Sequence, residues 1–442
     1  MEEGINFIVE GGKKLSGSVT TSRSKNGAVA LLAASILNKG ATTLDHMPKI
    51  EEVHRLIEVL HSIGFSVEWF TPSGVEGKET SVVITPPKEI TFDTIDREAA
   101  MKTRSILLFI GPLLHHARSF KIPQSGGCTL GTRTVRPHLF ALEKFGVSIE
   151  TLSDSFSVKH NGLRPAEIIL YESSDTATEN ALLAAAGTAG TSVIKYASAN
   201  YQVQELCGLL QMFGVEIEGV GSTTLTIHGT TDINKDVSYS VAEDPIDSMF
   251  FIAAAAVTHS AITIHRAPIA FLEIELTILE KMGLQFSITN LGMSENDITR
   301  LADISIEPSE LIAFPERIHP RPYPGLNMDN LPFFAVIAAM ATGTTMLHDW
   351  VYDKRAIYYT ELDRLGANTL LHDPHRISIT GPSHFKAAEV VCPPVLRIGA
   401  MLVIAMLAAK GRSTLRNVYT INRGYEDLVP RLKALGVDIE ST

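Results

Sequence analysis

The sequence repeats itself six times, and that recurrence constrains the fold more than any single motif. Six segments end on an apolar residue and a glycine before an alternating stretch: Ile63-Gly64-Phe65, Phe145-Gly146-Val147, Phe213-Gly214-Val215, Met282-Gly283-Leu284, Leu365-Gly366-Ala367 and Leu435-Gly436-Val437. Glycine there is a left-handed stop that ends an amphipathic helix and turns the chain into a strand. The residues that follow, as in Val437-Asp438-Ile439-Glu440, have the period of a strand. A second helix type recurs as often, at 28–37, 106–114, 181–186, 250–257, 333–340 and 401–408. Those segments are apolar on nearly every face, so each helix must be buried on nearly every face. One unit therefore reads strand, buried helix, strand, amphipathic helix, strand, strand, over roughly 70–80 residues. Six units in two threes predict an α/β protein of two similar domains, 23–236 and 1–22 plus 237–442. The chain is predicted to cross between them near Ser22–Ser24 and Asp232–Tyr239, with the strands at 6–9 and 15–20 completing the second.

What precedes each buried helix points to a ligand. The starts carry Lys25-Asn26, Arg104, Ser174-Asp175-Thr176, Asp247, Asp329-Asn330 and Arg397. Ser, Thr, Asp and Asn are ordinary N-caps. Lys25, Arg104 and Arg397 are not, because a cation beside a helix N-terminus opposes the dipole by a few tenths to about 1 kcal/mol. An anion bound between the cation and the free N–H groups would offset that cost. Arg133, Arg136, Arg355 and Arg423 could line the same cleft.

One stretch adds a reactive group: Gln124-Ser125-Gly126-Gly127-Cys128-Thr129-Leu130-Gly131-Thr132-Arg133, followed by Arg136-Pro137-His138. The paired glycines allow close backbone approach, and nearby guanidinium groups favour the thiolate of Cys128. Pro137 suits the first turn of a helix predicted from about Val135 to Phe145. The remaining cysteines, Cys207 and Cys392, read as structural. Three cysteines without a spacing motif indicate reduced thiols and a cytoplasmic protein rather than a disulfide frame. The net charge of −11 argues against nucleic-acid binding. The N-terminus lacks the apolar run of a signal peptide, and no stretch reaches membrane-spanning length. No metal-ligand spacing, Walker loop or dinucleotide fingerprint is present, so no metal or organic cofactor is expected.

These residues resemble the enolpyruvyl transferases, in the branch that acts on UDP-N-acetylglucosamine, over nearly the whole chain. Lys25-Asn26, the Gly126–Arg133 loop, His138 and Ile421-Asn422-Arg423-Gly424-Tyr425-Glu426 match family motifs; 324–329 and 395–398 resemble two more. The resemblance implies two inside-out α/β barrels, each of three βαβαββ repeats, with the active site in the cleft between them. It implies transfer of the enolpyruvyl group of phosphoenolpyruvate to the 3-hydroxyl of the sugar nucleotide with release of phosphate, the committed step of peptidoglycan precursor synthesis. Cys128 would donate the proton to C3, and an epoxide phosphonate of the fosfomycin type would alkylate it. Lys25, Arg133, Arg397 and Arg423 would hold the donor, and Asp329 would accept the hydroxyl proton. Asn26, Arg104, His138, Ser174, Thr176, Asp329 and Arg355 would face the acceptor. The partners implied are small molecules, with a monomer or weak homo-oligomer as the working form.

The departures from the family pattern fall mostly on the acceptor side. Val395 stands where the family has aspartate, Met328 where it has threonine, and Arg136 where it has an acid. The family's Lys-x-Ser-Val-Gly-Ala-Thr is Glu172 to Thr178 here, and two family glutamates are Asn200 and Gln202. They leave open a different sugar-nucleotide or phosphorylated acceptor, or a non-catalytic anion binder. The sister branch, 5-enolpyruvylshikimate-3-phosphate synthase, lacks the Gly-Gly-Cys loop.

Overall fold

All six predicted stops adopt the left-handed conformation: Gly64, Gly146, Gly214, Gly283, Gly366 and Gly436 have φ between 88° and 105°. A Cβ at any of them would be strained, which is why glycine recurs at that place in every unit. The computed structural model describes residues 4–71, 80–124 and 134–442. Among these residues the strands form six small sheets, one per unit, and no helix is long and apolar enough to cross a membrane.

The apolar helices are Lys25–Ser35, Asp175–Ala186, Pro245–Val257, Leu331–Met340 and Leu396–Ala408, with a broken counterpart in the second unit. Every residue of Pro245–Val257 is buried, as its unbroken apolarity requires. The second unit departs from expectation: its buried segment is a 3₁₀ helix, Arg104–Phe109, followed by the short helix Ile110–Leu113. Pro112 has no N–H to continue an α-helical ladder. The break is held by Asn180 of the third unit, which donates to Leu107 O (2.7 Å) and accepts from Gly111 N (2.8 Å). The amphipathic segment of the fifth unit is also 3₁₀, Arg355–Leu365, entered from left-handed Lys354.

The core falls into two hydrophobic clusters. One runs from Ala28 to Val241; the other joins Phe7, Val9, Leu15 and Val19 to residues 246–439 and takes Tyr201 from the first half. The N-terminal strands thus complete the second half as expected. Phe7–Gly11 pairs with Gly411–Arg416 and Asp438–Ser441, and Ser16–Thr20 pairs in parallel with Ala261–Ala267. Strand Val237–Ser240 pairs in parallel with Thr42–Asp45 of the first half, although it was expected beyond the crossing at 236/237.

The two crossing segments run side by side. Arg23 and Glu243 form an antiparallel bridge, Ser24 N donates to Ala242 O (2.7 Å), and Asp244 N donates to Ser22 O (2.8 Å). The Glu243 carboxylate, fully buried, receives both Arg23 and Arg266. Backbone bonds and a buried ionic cluster thus join the two crossing segments.

Candidate active site

Helix starts from both halves meet at one place. In the first half, Ser24 caps Lys25–Ser35 by accepting from Gly27 N (2.9 Å), which leaves Lys25 in the first turn. Its ammonium lies 3.9 Å from Glu52 Oε1. Burial, with Arg423 and Arg397 nearby, pushes the Lys25 pKa down against the pull of Glu52 and Asp329. Asn26 Nδ2 donates to Tyr201 OH (2.9 Å), tying this start to that of helix Tyr201–Met212.

The second half supplies Arg397, Arg423 and Asp329. Arg397 is only 5% exposed, lies 3.6 Å from Asp329 Oδ2, and stacks over the Tyr425 ring. Among the described residues its Nη1 is buried without a hydrogen-bond partner. A buried N–H left unpaired is costly, so this atom has capacity for one more acceptor. Val395 occupies the N-cap of Leu396–Ala408 and makes no side-chain cap, so the N–H groups of that first turn lack the carboxylate an aspartate would offer. Arg423 donates to Glu52 Oε2 from Nη2 (2.6 Å) and Nε (3.2 Å). Burial would raise the Glu52 carboxyl, yet Lys25 and Arg423 hold it down to about 2, so it is ionised.

Asp329 is placed by a shell the sequence did not reveal. Glu275 Oε1 accepts from Asn327 N (3.1 Å) and Asn330 Nδ2 (2.9 Å), and burial raises its pKa to about 7. Asp329 N donates to Asn327 Oδ1 (2.9 Å), and Tyr352 OH donates to Asp329 Oδ1 (3.4 Å). Arg355 was expected to face the acceptor; instead it is 1% exposed and packs beneath this turn. Its guanidinium binds Asp349 through Nε (2.5 Å) and Nη2 (3.1 Å) and donates to Met328 O (2.7 Å). A buried guanidinium needs such a carboxylate, and Asp349, lying in a loop after a strand, has no sequence signature for that role.

Of the residues expected on the acceptor side, His138, Ser174 and Thr176 gather around the start of Asp175–Ala186, and their side chains are engaged within the protein. Ser174 Oγ caps the helix at Ala177 N (3.5 Å). Asn180 Nδ2 donates to His138 Nδ1 (3.1 Å), which puts the ring proton on Nε2, 3.2 Å from Thr176 Oγ1. Buried His138 is therefore a strut between helices Arg136–Glu143 and Asp175–Ala186. Asp175 accepts from Ser198 Oγ (2.5 Å) and Asn200 Nδ2 (3.1 Å). Buried Glu179 lies one turn on, its pKa raised well above normal by burial and by Asp175. Carboxylates thus stand on the 175–186 side, and amides stand at Asn200 and Gln202, where the resemblance led one to expect glutamates. Arg104 donates to Thr134 O (3.0 Å), beside the cysteine loop. Cys128 and Arg133 lie outside the described residues. Glu52, Glu275, Asp349 and Tyr201 were missed, because Glu51-Glu52 reads as an ordinary acidic first turn and the others as core or loop.

Two three-unit halves bring Lys25, Arg397 and Arg423 together with the carboxylates of Glu52 and Asp329 where they meet. The family model of EPSP synthase (3-phosphoshikimate 1-carboxyvinyltransferase) matches residues 9–432, and the chain belongs to this family of enolpyruvyl transferases. It is 34% identical to the UDP-N-acetylglucosamine 1-carboxyvinyltransferase of Treponema denticola, over 98% of each chain. It is 31% identical to the protein of that name from Bradyrhizobium diazoefficiens, over 99% of this chain and 98% of the other. Among solved structures, the enolpyruvyl transferase NikO from Streptomyces tendae superposes with a TM-score of 0.84 at 24% identity, covering 100% of this chain and 99% of that one. EPSP synthase from Acinetobacter baumannii gives 0.73 at 18%, over 99% and 100%. Both share the fold, in agreement with the two-barrel expectation.

Proposed function

We propose that this enzyme transfers the enolpyruvyl group of phosphoenolpyruvate to the 3-hydroxyl of UDP-N-acetylglucosamine, releasing phosphate, in the cytoplasm. The observation that carries the reading is the convergence of Lys25, Arg397 and Arg423 with Asp329 at one cleft. The relatives that bear this enzyme name match the chain from end to end. The cations hold the donor's phosphate and carboxylate, and the orphaned Nη1 of Arg397 receives one of its oxygens. Cys128 gives its thiol proton to C3 while the acceptor hydroxyl attacks C2, and that hydroxyl's proton passes to Asp329. The resulting tetrahedral ketal returns a C3 proton to the thiolate and expels phosphate. Arg133 joins the phosphate contacts, and Arg104 and Asn26 line the path to the acceptor. His138, Ser174 and Thr176 shape that path by fixing the helix start, and Arg355 positions Asp329 from below.

A coupled phosphate-release assay with both substrates tests the reading. Release that disappears in Cys128→Ala supports it, and no release from the wild-type protein overturns it. The carboxylate of Asp175 at a helix start favours a second reading, in which a less highly charged acceptor replaces the UDP-sugar. A thermal-shift series across nucleotide mono- and diphosphate sugars separates the two.

A further inference from the structure

We infer that Glu52 is a positioning residue for the transfer, the carboxylate through which the first half captures Arg423 of the second and so completes the cationic pocket only when the halves are together. The inference rests on the reading of this cleft as the donor site.

Glu52 is 2% exposed, and its partners divide cleanly between the halves. From its own half, the hydroxyls of Thr103 and Ser105 both donate to Oε1, the latter at 2.8 Å, and Lys25 stands 3.9 Å from the same oxygen. These contacts orient the carboxylate without help from the second half. Oε2 is left for Arg423, which binds it through two nitrogens from 371 residues away. The same contact surface holds a second link: Lys49 N donates to Glu426 Oε1 (3.0 Å). It also holds a close approach, since a Cβ at Gly424 would lie 3.2 Å from Lys25 Cδ. The segment around Arg423 therefore seats directly on Lys25 and the start of helix Glu51–Ser62.

Charge explains why a carboxylate is needed there. Closure brings Arg397 and Arg423 against Lys25, and like charges at this burial repel strongly. Asp329 offsets one of them. Glu52 offsets a second without occupying the ligand's place, because its remaining valence is taken by Thr103 and Ser105. One net positive charge stays among the five groups to meet the anionic donor. Glu52 itself is no proton carrier at working pH, since its neighbours keep it ionised.

The test uses the full-length protein and small-angle scattering, with and without saturating phosphoenolpyruvate and UDP-N-acetylglucosamine. Glu52→Gln preserves shape and removes the charge. Its ligand-free radius of gyration should exceed that of the wild type, and both substrates together should restore it. Its kcat should fall on the order of 10- to 100-fold, and Glu52→Asp should recover most of that loss. The double variant Thr103→Val/Ser105→Ala keeps the charge but frees the carboxylate, and should open the ligand-free protein part-way even if Glu52→Gln fails to fold. Ligand-free scattering of Glu52→Gln identical to wild type, or a kcat within twofold of it, overturns the inference. If the wild-type protein makes no product from these substrates, the donor-site reading fails while the ligand-free scattering comparison still decides the role of Glu52.

Discussion

The two regions proposed to hold the donor and the acceptor are built on opposite plans. Around Lys25 the groups come from distant parts of the chain, carry full charges, and leave Arg397 Nη1 unpaired. Around the start of Asp175–Ala186 the groups come from one half, and the side chains of Ser174, Thr176, His138 and Asp175 are bonded to the backbone or to side chains of that same half. The first arrangement costs folding energy that a ligand returns. The second is nearly self-sufficient, so its residues can exchange, as carboxylate and amide have done across 175–202, without the fold noticing. On the proposed function, the difference teaches that the donor would meet charges held in suspense, while the acceptor would meet a shape already made.

The sharpest way to break this comparison is Arg397→Met. Removing the unpaired guanidinium should lower kcat/KM for phosphoenolpyruvate on the order of 10²–10³-fold, with the fold intact by circular dichroism. A loss under fivefold would mean that the donor side is no more in suspense than the acceptor side.

Next comes Glu275→Gln, which probes the shell holding Asp329. The buried carboxyl titrates near 7 in the folded protein against 4.5 when unperturbed, so between those values the folded state holds more protons than the unfolded state. Stability contributed by the protonated form is complete below about 4.5 and is lost as pH rises through about 7, on the order of 3 kcal/mol in all. Urea melts at pH 5 and pH 8 should show that loss in the wild type and a flatter profile in the variant.

His138→Ala should act on the other side of the comparison. Leaving Asn180 and Thr176 short of a partner should cost about 1–3 kcal/mol of stability while the KM for phosphoenolpyruvate stays within twofold. A large change in donor kinetics would make His138 part of the donor site. The smallest effect is expected from Asp175→Asn, which removes a negative charge from the helix start where the proposed acceptor's diphosphate would sit. The KM for UDP-N-acetylglucosamine should fall about fivefold, as expected for one like-charge contact in a partly solvated site. A rise would show that the carboxylate itself grips the acceptor.

The fold was largely legible because its signals are local. Each Gly at a helix stop, each apolar helix and each N-cap such as Ser24 and Ser174 is decided within a few residues. Even the return of the N-terminal strands to the second half followed from counting units. The second and fifth units were less legible, since an α-helix and a 3₁₀ helix share the same apolar residues, and Pro112 with Asn180 shifts the balance only once the third unit packs on the second. The strand Val237–Ser240 went to the other side of its crossing for a similar reason, because pairing with Thr42–Asp45 is a long-range choice.

The sequence by itself determined the six-unit architecture and the cations Lys25 and Arg397 at their helix starts, because helix stops and charged helix starts are written into short stretches. Only the tertiary structure decided that Glu52 answers Arg423, that Arg355 supports Asp329 from beneath, and that His138 is a strut. An ion pair or a buried hydrogen bond exists only where two distant segments are brought within about 3 Å, and no local pattern encodes that meeting.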